Sequence, residues 1–262
     1  MTGPATAAEV TEDRLLDGRV RLRQPADGYR AAIDPVFLAA AVPGGNPGGG
    51  QAGGPSSVLD LGCGVGAAAL CLLARLPAAQ VTGLELQPRL AALARDNAAL
   101  NGWANRFEVV VGDIAHPVLL SDISTDRNGF DEVICNPPHH RAGMAAAPDP
   151  AKATANREAR ASLNDWFAAA LAHVRQNGSV TFIHRADRLD DLLAALRGRA
   201  GGIIVFPLWP KPGEAARRVL VRARKGVRVP LTLAAGLVLH TAVGRFTTAA
   251  ERVLREGHGL AL

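Results

Sequence analysis

The sequence predicts an α/β protein built on a mainly parallel β-sheet with helices on both faces. From residue 58 onward, short apolar runs typical of buried strands alternate with helical runs, and parallel strands need such crossovers. The predicted strand 58–61 is followed by three glycines at alternate positions, Gly62, Gly64 and Gly66. A strand that turns into a helix through glycines allows a ligand to approach the backbone closely. We therefore expect a nucleotide-cofactor site at this turn.

The residues before this strand predict a smaller unit. Asp17-Gly18 between two short runs is typical of a tight hairpin, and residues 36–42 form a helical run that Asp34 can cap. Residues 43–57 are rich in glycine, proline and serine and predict a loop. We expect a hairpin, a helix and a loop over residues 1–57, packed on a core domain over 58–262.

The core domain should alternate strands and helices in sequence order. After the glycine turn, the predicted helices are 67–76, 88–100, 162–174, 187–197 and a last helix with Thr248 and Glu251 as a capping box. The predicted strands are 58–61, 80–85, 107–111, 130–135, 178–184, 203–208, 218–223 and an edge strand at 237–241. Residues 141–160 are rich in alanine and proline, and both a substrate lid and an idle loop stay open.

Composition restricts the classes of protein. The length suits one large α/β domain, and no apolar run is long enough to span a bilayer, so we expect a soluble cytoplasmic protein. Cys63, Cys71 and Cys135 show no C-x-x-C spacing and are expected to be buried thiols. The histidines show no ligand spacing either, and we expect no metal.

Charge divides the chain unequally. Up to Pro150, 11 basic residues stand against 16 acidic ones, whereas from Ala151 onward 18 basic residues stand against 8. The net charges are therefore −5 and +10. A short basic run suggests a nucleic-acid partner, and a solvated surface is the alternative. Its residues are Arg217, Arg218, Arg222, Arg224, Lys225 and Arg228.

Polar residues stand at the ends of four successive predicted strands. Asp60, Glu85, Asp113 and Asn136 are these residues. Ligands of open α/β sheets bind beyond the carboxyl ends of strands, so the four side chains should lie along one binding edge. The glycine pattern with Glu85 also satisfies the loose NAD fingerprint, but NAD binding leaves Asn136-Pro137-Pro138-His139 unexplained.

Together these motifs resemble the class I S-adenosylmethionine (SAM) methyltransferases of the small-methyltransferase-domain group. More of the chain is similar to the bacterial tRNA1(Val) adenine-N6-methyltransferases. The similar segments are Gln24-Pro25, Gly28-Tyr29-Arg30, Ile33-Asp34, the basic 220–226 strand and Leu237-Val238-Leu239-His240. The resemblance implies a Rossmann-like fold with a mainly parallel seven-stranded sheet and an antiparallel last strand. It also implies an RNA substrate, modified at an adenine beside the anticodon.

The resemblance also implies roles for the site residues. Asp60 would meet the SAM ammonium, with Gly62, Cys63, Gly64 and Gly66 forming the turn. Glu85 and Leu86 would hold the ribose, and Asp113 and Ile114 the adenine. Tyr29 and Asp34 would lie over the cofactor.

The catalytic assignment rests on the Asn-Pro-Pro-His motif. The Asn136 side-chain oxygen and the Pro137 carbonyl would accept the hydrogens of an amino group, and Pro138 would restrict the backbone. His139 would stack on the target, where relatives carry a larger aromatic. Guanine N2 of ribosomal RNA and a protein glutamine remain alternative acceptors. An NAD-dependent oxidoreductase and a non-catalytic RNA-binding module remain alternatives from other classes.

Overall fold

The computed structural model describes residues 9–27, 30–44, 54–115, 129–138 and 161–262. Its strands are β1 (Val10–Leu15), β2 (Val20–Pro25), β3 (Ser57–Leu61), β4 (Gln80–Glu85), β5 (Phe107–Val111), β6 (Phe130–Cys135), β7 (Val174–Arg185), β8 (Ala200–Trp209), β9 (Arg218–Lys225), β10 (Thr232–Leu233) and β11 (Leu237–Val238). Its α-helices are α1 (Asp34–Ala41), α2 (Ala67–Arg75), α3 (Pro88–Leu100), α4 (Leu163–His173), α5 (Leu189–Leu196) and α6 (Thr248–Leu254), with a 3₁₀ turn at Ala186–Arg188.

The central sheet confirms the predicted fold class. Its strand order is β10-β8-β9-β7-β6-β3-β4-β5, and β11 pairs with β8 as well. Strand β9 runs antiparallel to β7 and β8, and the other pairs are parallel. The described sheet has nine strands rather than the expected seven, because β10 and β11 add two residues each beside β8. The predicted edge strand at 237–241 is thus shorter than expected.

Strand order positions the site. The first core strand, β3, lies between β4 and β6. Strands β4 and β5 follow on one side of β3, and β6 lies on its other side, so the order of strands switches sides at β3. The carboxyl ends therefore follow one another in space as β5, β4, β3 and β6. The polar residues predicted at these ends fall in the same row.

Two apolar layers cover the sheet. One contains the hairpin, α1, α2, α3 and α6, and the other contains α4 and α5. Phe37 anchors the first layer, while Phe167 and Phe182 stack in the second with ring centroids 3.8 Å apart. Each such buried ring contributes about 1.5–3 kcal/mol through removal of apolar surface from water. The layers hold β3 and β6 rigid beneath the site.

The hairpin is tied to the cofactor turn by an asparagine that sequence reasoning missed. Asn97 of α3 accepts from the Arg23 N–H at 2.7 Å and donates to the Arg23 carbonyl at 2.8 Å. Its amide also donates to the Val65 carbonyl at 3.0 Å, and the side chain is fully buried. Strand β2, α3 and the glycine turn therefore share one set of hydrogen bonds.

Two predicted helix caps are wrong. Asp34 is the first residue of α1 rather than its N-cap, which is Ile33, and its carboxylate pairs with Arg218 at 2.8 Å. The last helix is capped by Thr247, whose hydroxyl accepts from the Ala250 N–H at 3.1 Å, and not by Thr248. The hairpin turn at Asp17-Gly18 and the start of α3 at Pro88 are confirmed.

The described part of the chain contains no helix that is both long and apolar enough to cross a membrane. The three cysteines are buried and unpaired with one another, as expected.

Candidate cofactor and substrate site

The glycine turn joins β3 to α2 through a left-handed backbone. Gly62, Gly64 and Gly66 have φ values of 67°, 57° and 85°. Other residues pay roughly 1–2 kcal/mol for this conformation, so glycine is favoured at all three positions. The N–H groups of Gly62 and Cys63 both donate to the Leu84 carbonyl, at 2.8 and 3.0 Å. These two N–H groups therefore hold the turn on β4.

The three glycines face different surroundings. A Cβ on Gly62 would lie 2.5 Å from the Trp166 ring, and one on Gly66 would lie 2.6 Å from Phe107. A Cβ on Gly64 would meet no atom of the described residues within 4 Å. Gly62 and Gly66 thus allow close packing, whereas Gly64 borders the open space where a cofactor can approach.

The Cys63 side chain lies on the buried side of the turn. Its sulfur would be 2.7 Å from a Cβ placed on Gly83 of β4. The buried side chain therefore packs against β4, and its thiol donates to the Gly64 carbonyl at 3.8 Å. Contact of the Cys63 backbone with the cofactor stays a prediction.

The two carboxylate oxygens of Asp60 have different surroundings. The side chain accepts from the Ala69 N–H in the first turn of α2, while its Oδ2 atom is buried without a hydrogen-bond partner among the described residues. Burial chiefly, and the nearby charge of Glu85, raise the pKa of Asp60 to about 8. The unpartnered oxygen is an acceptor for one more donor, and a cation there would favour the ionised form.

Glu85 is held against the turn in this conformation. Its Oε2 accepts from the Gly64 N–H and its Oε1 from the Gln87 N–H, each at 2.8 Å. The residue is 2% exposed. Each of these carboxylate oxygens can accept one more hydrogen bond, so the predicted contact with both ribose hydroxyls is compatible with the bonds to Gly64 and Gln87.

A narrow cleft lies beside the turn. Its walls include three predicted residues, Leu86, Asp113 and Ile114. Asp113 also accepts from the Ala115 N–H at 2.9 Å, which fixes the loop after β5. The lining combines apolar side chains with one carboxylate, the two kinds of group that would recognise a flat base carrying an amino group.

Trp166 lines the same cleft and was missed by sequence reasoning. The residue is 3% exposed, and its Nε1 atom has no hydrogen-bond partner among the described residues. It belongs to α4, which a capping box of Ser162 and Asp165 starts. No spacing in the sequence relates Trp166 to the turn, because only the folding of α4 onto β3 places its ring on Gly62.

The Asn-Pro-Pro segment follows β6 directly, beside the glycine turn. Cys135 pairs with Leu61, so Asn136 and Gly62 leave neighbouring strands at the same level. Asn136 and Pro138 are partly buried and Pro137 is buried. The structure thus brings the predicted acceptor-binding residue beside the predicted cofactor residues. His139 and Tyr29 lie outside the described residues.

Asp34 lies at the same edge of the sheet but is bound to Arg218. Its α1 packs on β6 and β7, and the ion pair joins residues 184 positions apart in sequence. The two side chains are 12% and 32% exposed. This pair anchors the start of α1 to β9, and the predicted cofactor contact of Asp34 and RNA contact of Arg218 stay predictions.

The predicted basic run does not form one surface. Arg218 pairs in register with Arg185 at the carboxyl edge, whereas Arg224 pairs with Ser179 near the opposite edge. Between them, Arg222 is 19% exposed and lies 3.3 Å from buried Glu132. Burial raises the pKa of Glu132, while the charge of Arg222 opposes that shift. Arg222 is therefore part of an internal ion pair rather than an exposed RNA contact.

The rest of the run is exposed to different degrees. Arg217 at the carboxyl edge is 77% exposed, 3.9 Å from Glu214. At the other edge, Arg224 and Arg228 are exposed, and Lys225 donates to the Val174 carbonyl at 2.9 Å.

The fold and the site together define an S-adenosylmethionine-dependent methyltransferase. SAM combines an amino-acid ammonium, a ribose and an adenine, and the row Asp60, Glu85 and Asp113 is predicted to meet these groups in that order. The unpartnered Asp60 oxygen and the open side of Gly64 fit such a cofactor.

The chain belongs to the small methyltransferase domain family, described as "Methyltransferase small domain", which matches residues 52–189. A tRNA1(Val) (adenine(37)-N6)-methyltransferase of Porphyromonas gingivalis is 31% identical over 87% of this chain and 88% of its own. An Aeromonas hydrophila protein of the same name is 28% identical over 72% of this chain and 77% of its own.

A solved structure from Agrobacterium tumefaciens supports the same fold. It is described as a predicted O-methyltransferase and is 28% identical, with a TM-score of 0.70 over 87% of this chain and 99% of that one. The expected fold, cofactor and enzyme class are thereby confirmed.

Proposed function

We propose that this enzyme methylates the exocyclic N6 amino group of an adenine in valine tRNA, beside the anticodon. The observation that carries the proposal is the position of Asn136-Pro137-Pro138 at the end of β6, next to the cofactor turn. The names of the Porphyromonas and Aeromonas relatives support tRNA as the substrate. Such an enzyme would act in the cytoplasm, where tRNA is found.

The cofactor supplies the electrophile, a methyl group on a sulfonium, so the protein must bind, orient and exclude water. Asp60 would accept from the ammonium and Glu85 from the ribose. Leu86, Ile114 and Trp166 would enclose the adenine, with Asp113 accepting from its amino group.

The acceptor nitrogen poses the chemical problem. The lone pair of an exocyclic amine is delocalised into the ring, which makes the nitrogen a weak nucleophile. If the Asn136 side-chain oxygen and the Pro137 carbonyl accept its two hydrogens, the nitrogen can become pyramidal with its lone pair toward the methyl group. The two prolines fix the backbone, so these acceptors need little reorganisation.

The two acceptors of the Asn136-Pro137 segment favour an amino group over a hydroxyl group as the methyl acceptor. A hydroxyl acceptor has one hydrogen and is usually activated by a base, whereas two fixed acceptors suit an NH₂ group. The net charge of +10 from Ala151 onward favours RNA over a protein as the carrier of that group.

The test uses RNA from a strain that lacks the gene. Its tRNA and ribosomal RNA are separated, incubated with purified protein and labelled SAM, and digested for nucleoside mass spectrometry. We expect label in valine tRNA as N6-methyladenosine. RNA from the parent strain is the control and should accept little label, because its site is already modified.

Two other outcomes would change the proposal. Label in ribosomal RNA as N2-methylguanosine would replace the substrate and leave the cofactor site as assigned. Label in neither RNA, with normal SAM binding, would overturn an RNA substrate.

A further inference from the structure

The edge of the sheet opposite the candidate site carries an exposed group of basic side chains, which we call the distal basic cluster. It is formed where β7 and β8 begin and β9 ends. Its members are Arg175, Arg197, Arg199, Arg224, Lys225 and Arg228. Only half of them belong to the basic run seen in the sequence, since the others come from segments up to 53 residues away.

Backbone contacts bring these residues together. Lys225 pairs in register with Ala200, which immediately follows Arg199. The Lys225 ammonium reaches the Val174 carbonyl at 2.9 Å, next to Arg175. On the other side, a Cβ on Gly201 would lie 3.3 Å from the Arg228 Cα. These contacts place the segments that carry the cluster side by side along this edge.

Acidic residues are sparse at this edge among the described residues. Asp131 neighbours Arg175 at 2.6 Å, and it also accepts from the N–H groups of Ser56 and Ser57. These bonds hold the pKa of Asp131 well below its usual range, although burial opposes the shift. Helix α5 shows the asymmetry, because Asp190 and Asp191 begin it at the site edge whereas Arg197 follows its far end.

Three members of the cluster have no partner among the described residues that would give their charge a structural role. For the side chains of Arg197, Arg199 and Arg228, the described residues provide no hydrogen bond or ion pair. All three are exposed. Concentrated like charge repels itself, and a polyanion is the partner that would relieve this repulsion.

We propose that the distal basic cluster binds the phosphate backbone of the substrate RNA, away from the methylated base. This inference rests on the proposed function, because an RNA substrate supplies the polyanion. Strand β9 has eight residues, so Arg218 and Lys225 at its two ends are seven residue steps apart. At about 3.3 Å per residue, the cluster lies roughly 23 Å from the site edge. A folded tRNA is large enough to contact both edges.

The test is the triple variant Arg197→Gln, Arg199→Gln, Arg228→Gln, matched to Arg14→Gln, Arg21→Gln, Arg255→Gln. The control removes the same charge from exposed arginines of the hairpin and the end of α6. Binding of whole valine tRNA is measured at several salt concentrations. Because each lost phosphate contact reduces the slope of log K against log salt by about one, we expect the distal variant to lower it by about two to three. Its tRNA affinity should fall about tenfold or more in low salt, and the control should match the wild type.

A short RNA separates the two edges. A pentamer centred on the target adenine has only two nucleotides on each side, which are too few to reach from the site to the distal basic cluster. The distal variant should methylate this pentamer at the wild-type rate and bind SAM normally. An unchanged affinity and salt slope for whole tRNA would overturn the distal contact while leaving the proposed function intact. Failure of the wild type to methylate any RNA would instead overturn the proposed function.

Discussion

The two edges of the central sheet differ in how they use charge. At the carboxyl edge, Asp60 and Glu85 are each 2% exposed and are held by main-chain N–H groups. At the opposite edge, Arg197, Arg199 and Arg228 project into solvent. A buried carboxylate is placed for one small cation or hydroxyl group, whereas mobile exposed guanidinium groups suit a long polyanion. The charged groups at the carboxyl edge are therefore suited to orient the cofactor, and those at the opposite edge are suited to attract a polyanion.

Strand β9 joins the two regions and shows why a run in sequence is not a surface. Arg218 holds Asp34 at the site edge, Arg222 pairs with Glu132 inside the protein, and Arg224 is exposed near the far edge. Since a strand rises about 3.3 Å per residue, a few positions separate three environments. Substitutions along this one strand should therefore have unlike effects.

The largest effect should come from Arg222→Gln. Removal of the guanidinium leaves Glu132, among the described residues, with the Thr181 hydroxyl at 2.5 Å as its remaining side-chain donor. Breaking a buried ion pair costs about 3–5 kcal/mol in the free energy of unfolding. Urea denaturation measures the loss, and Arg224→Gln on the same strand should change stability by about 0.5 kcal/mol or less.

If Arg222→Gln does not fold, a double variant keeps the test possible. Replacing Arg222 and Glu132 together by methionine removes both charges, and it should restore most of the lost stability. Equal stability losses in Arg222→Gln and Arg224→Gln would contradict the difference between the interior and the edge.

Asn136→Ala should give the next largest effect. Loss of one fixed acceptor at the reacting nitrogen should lower the methyl-transfer rate about 100-fold or more. SAM affinity, measured by calorimetry, should stay the same because Asn136 is assigned to the acceptor. A parallel loss of SAM affinity would move Asn136 from the acceptor to the cofactor.

The glycine turn allows a matched comparison at the site edge. Gly66→Ala adds a Cβ 2.6 Å from Phe107, so overpacking and the positive φ should together cost about 2–4 kcal/mol of stability. Gly64→Ala meets open space and should cost only about 1–2 kcal/mol through its φ.

SAM affinity should respond differently. A methyl group at Gly64 stands where the cofactor approaches, so we expect about tenfold weaker SAM binding, which is roughly 1.4 kcal/mol. Thermal denaturation and calorimetry on both variants check the pair. Unchanged SAM affinity in a folded Gly64→Ala protein would place the cofactor elsewhere.

The sequence predicted the layout of this site better than its contacts. The row Asp60, Glu85, Asp113 and Asn136 followed from strand ends, because parallel strands in one sheet end at one edge. The Trp166 ring on Gly62 did not follow, since it depends on how α4 packs. The ion pair of Asp34 with Arg218, 184 residues away in sequence, likewise did not follow from the local pattern that predicted Asp34 as a helix cap.

The sequence predicted only part of the distal basic cluster, because the cluster also depends on contacts between distant segments. Arg224 and Arg228 stood out as members of a run, whereas Arg197 and Arg199 stood alone in sequence. Antiparallel pairing of β8 with β9 brings them together. Local patterns therefore predicted elements and their ends, and only long-range pairing showed which charges share a surface.

The smallest predicted effect concerns protonation of Asp60. Its folded-state pKa of about 8 lies above the ordinary value, so the folded protein binds an additional proton between about pH 4 and 8. The contribution of this group to stability therefore falls as the pH rises through that window. If the SAM ammonium binds at Asp60, it favours the carboxylate, and binding must release the proton.

Calorimetry of SAM binding at pH 6.5, in two buffers of different ionisation enthalpy, measures this release. We expect close to one proton per SAM for the wild type, with SAM affinity rising by somewhat less than tenfold from pH 6 to 7. Asp60→Asn should release none at this residue and show a flatter pH dependence. Asp113→Asn is the matched control, and its proton release should equal that of the wild type because its carboxylate is assigned to the adenine. Equal proton release in the wild type and Asp60→Asn would show that the ammonium lies away from Asp60, whose carboxylate would then serve only to cap α2 through Ala69.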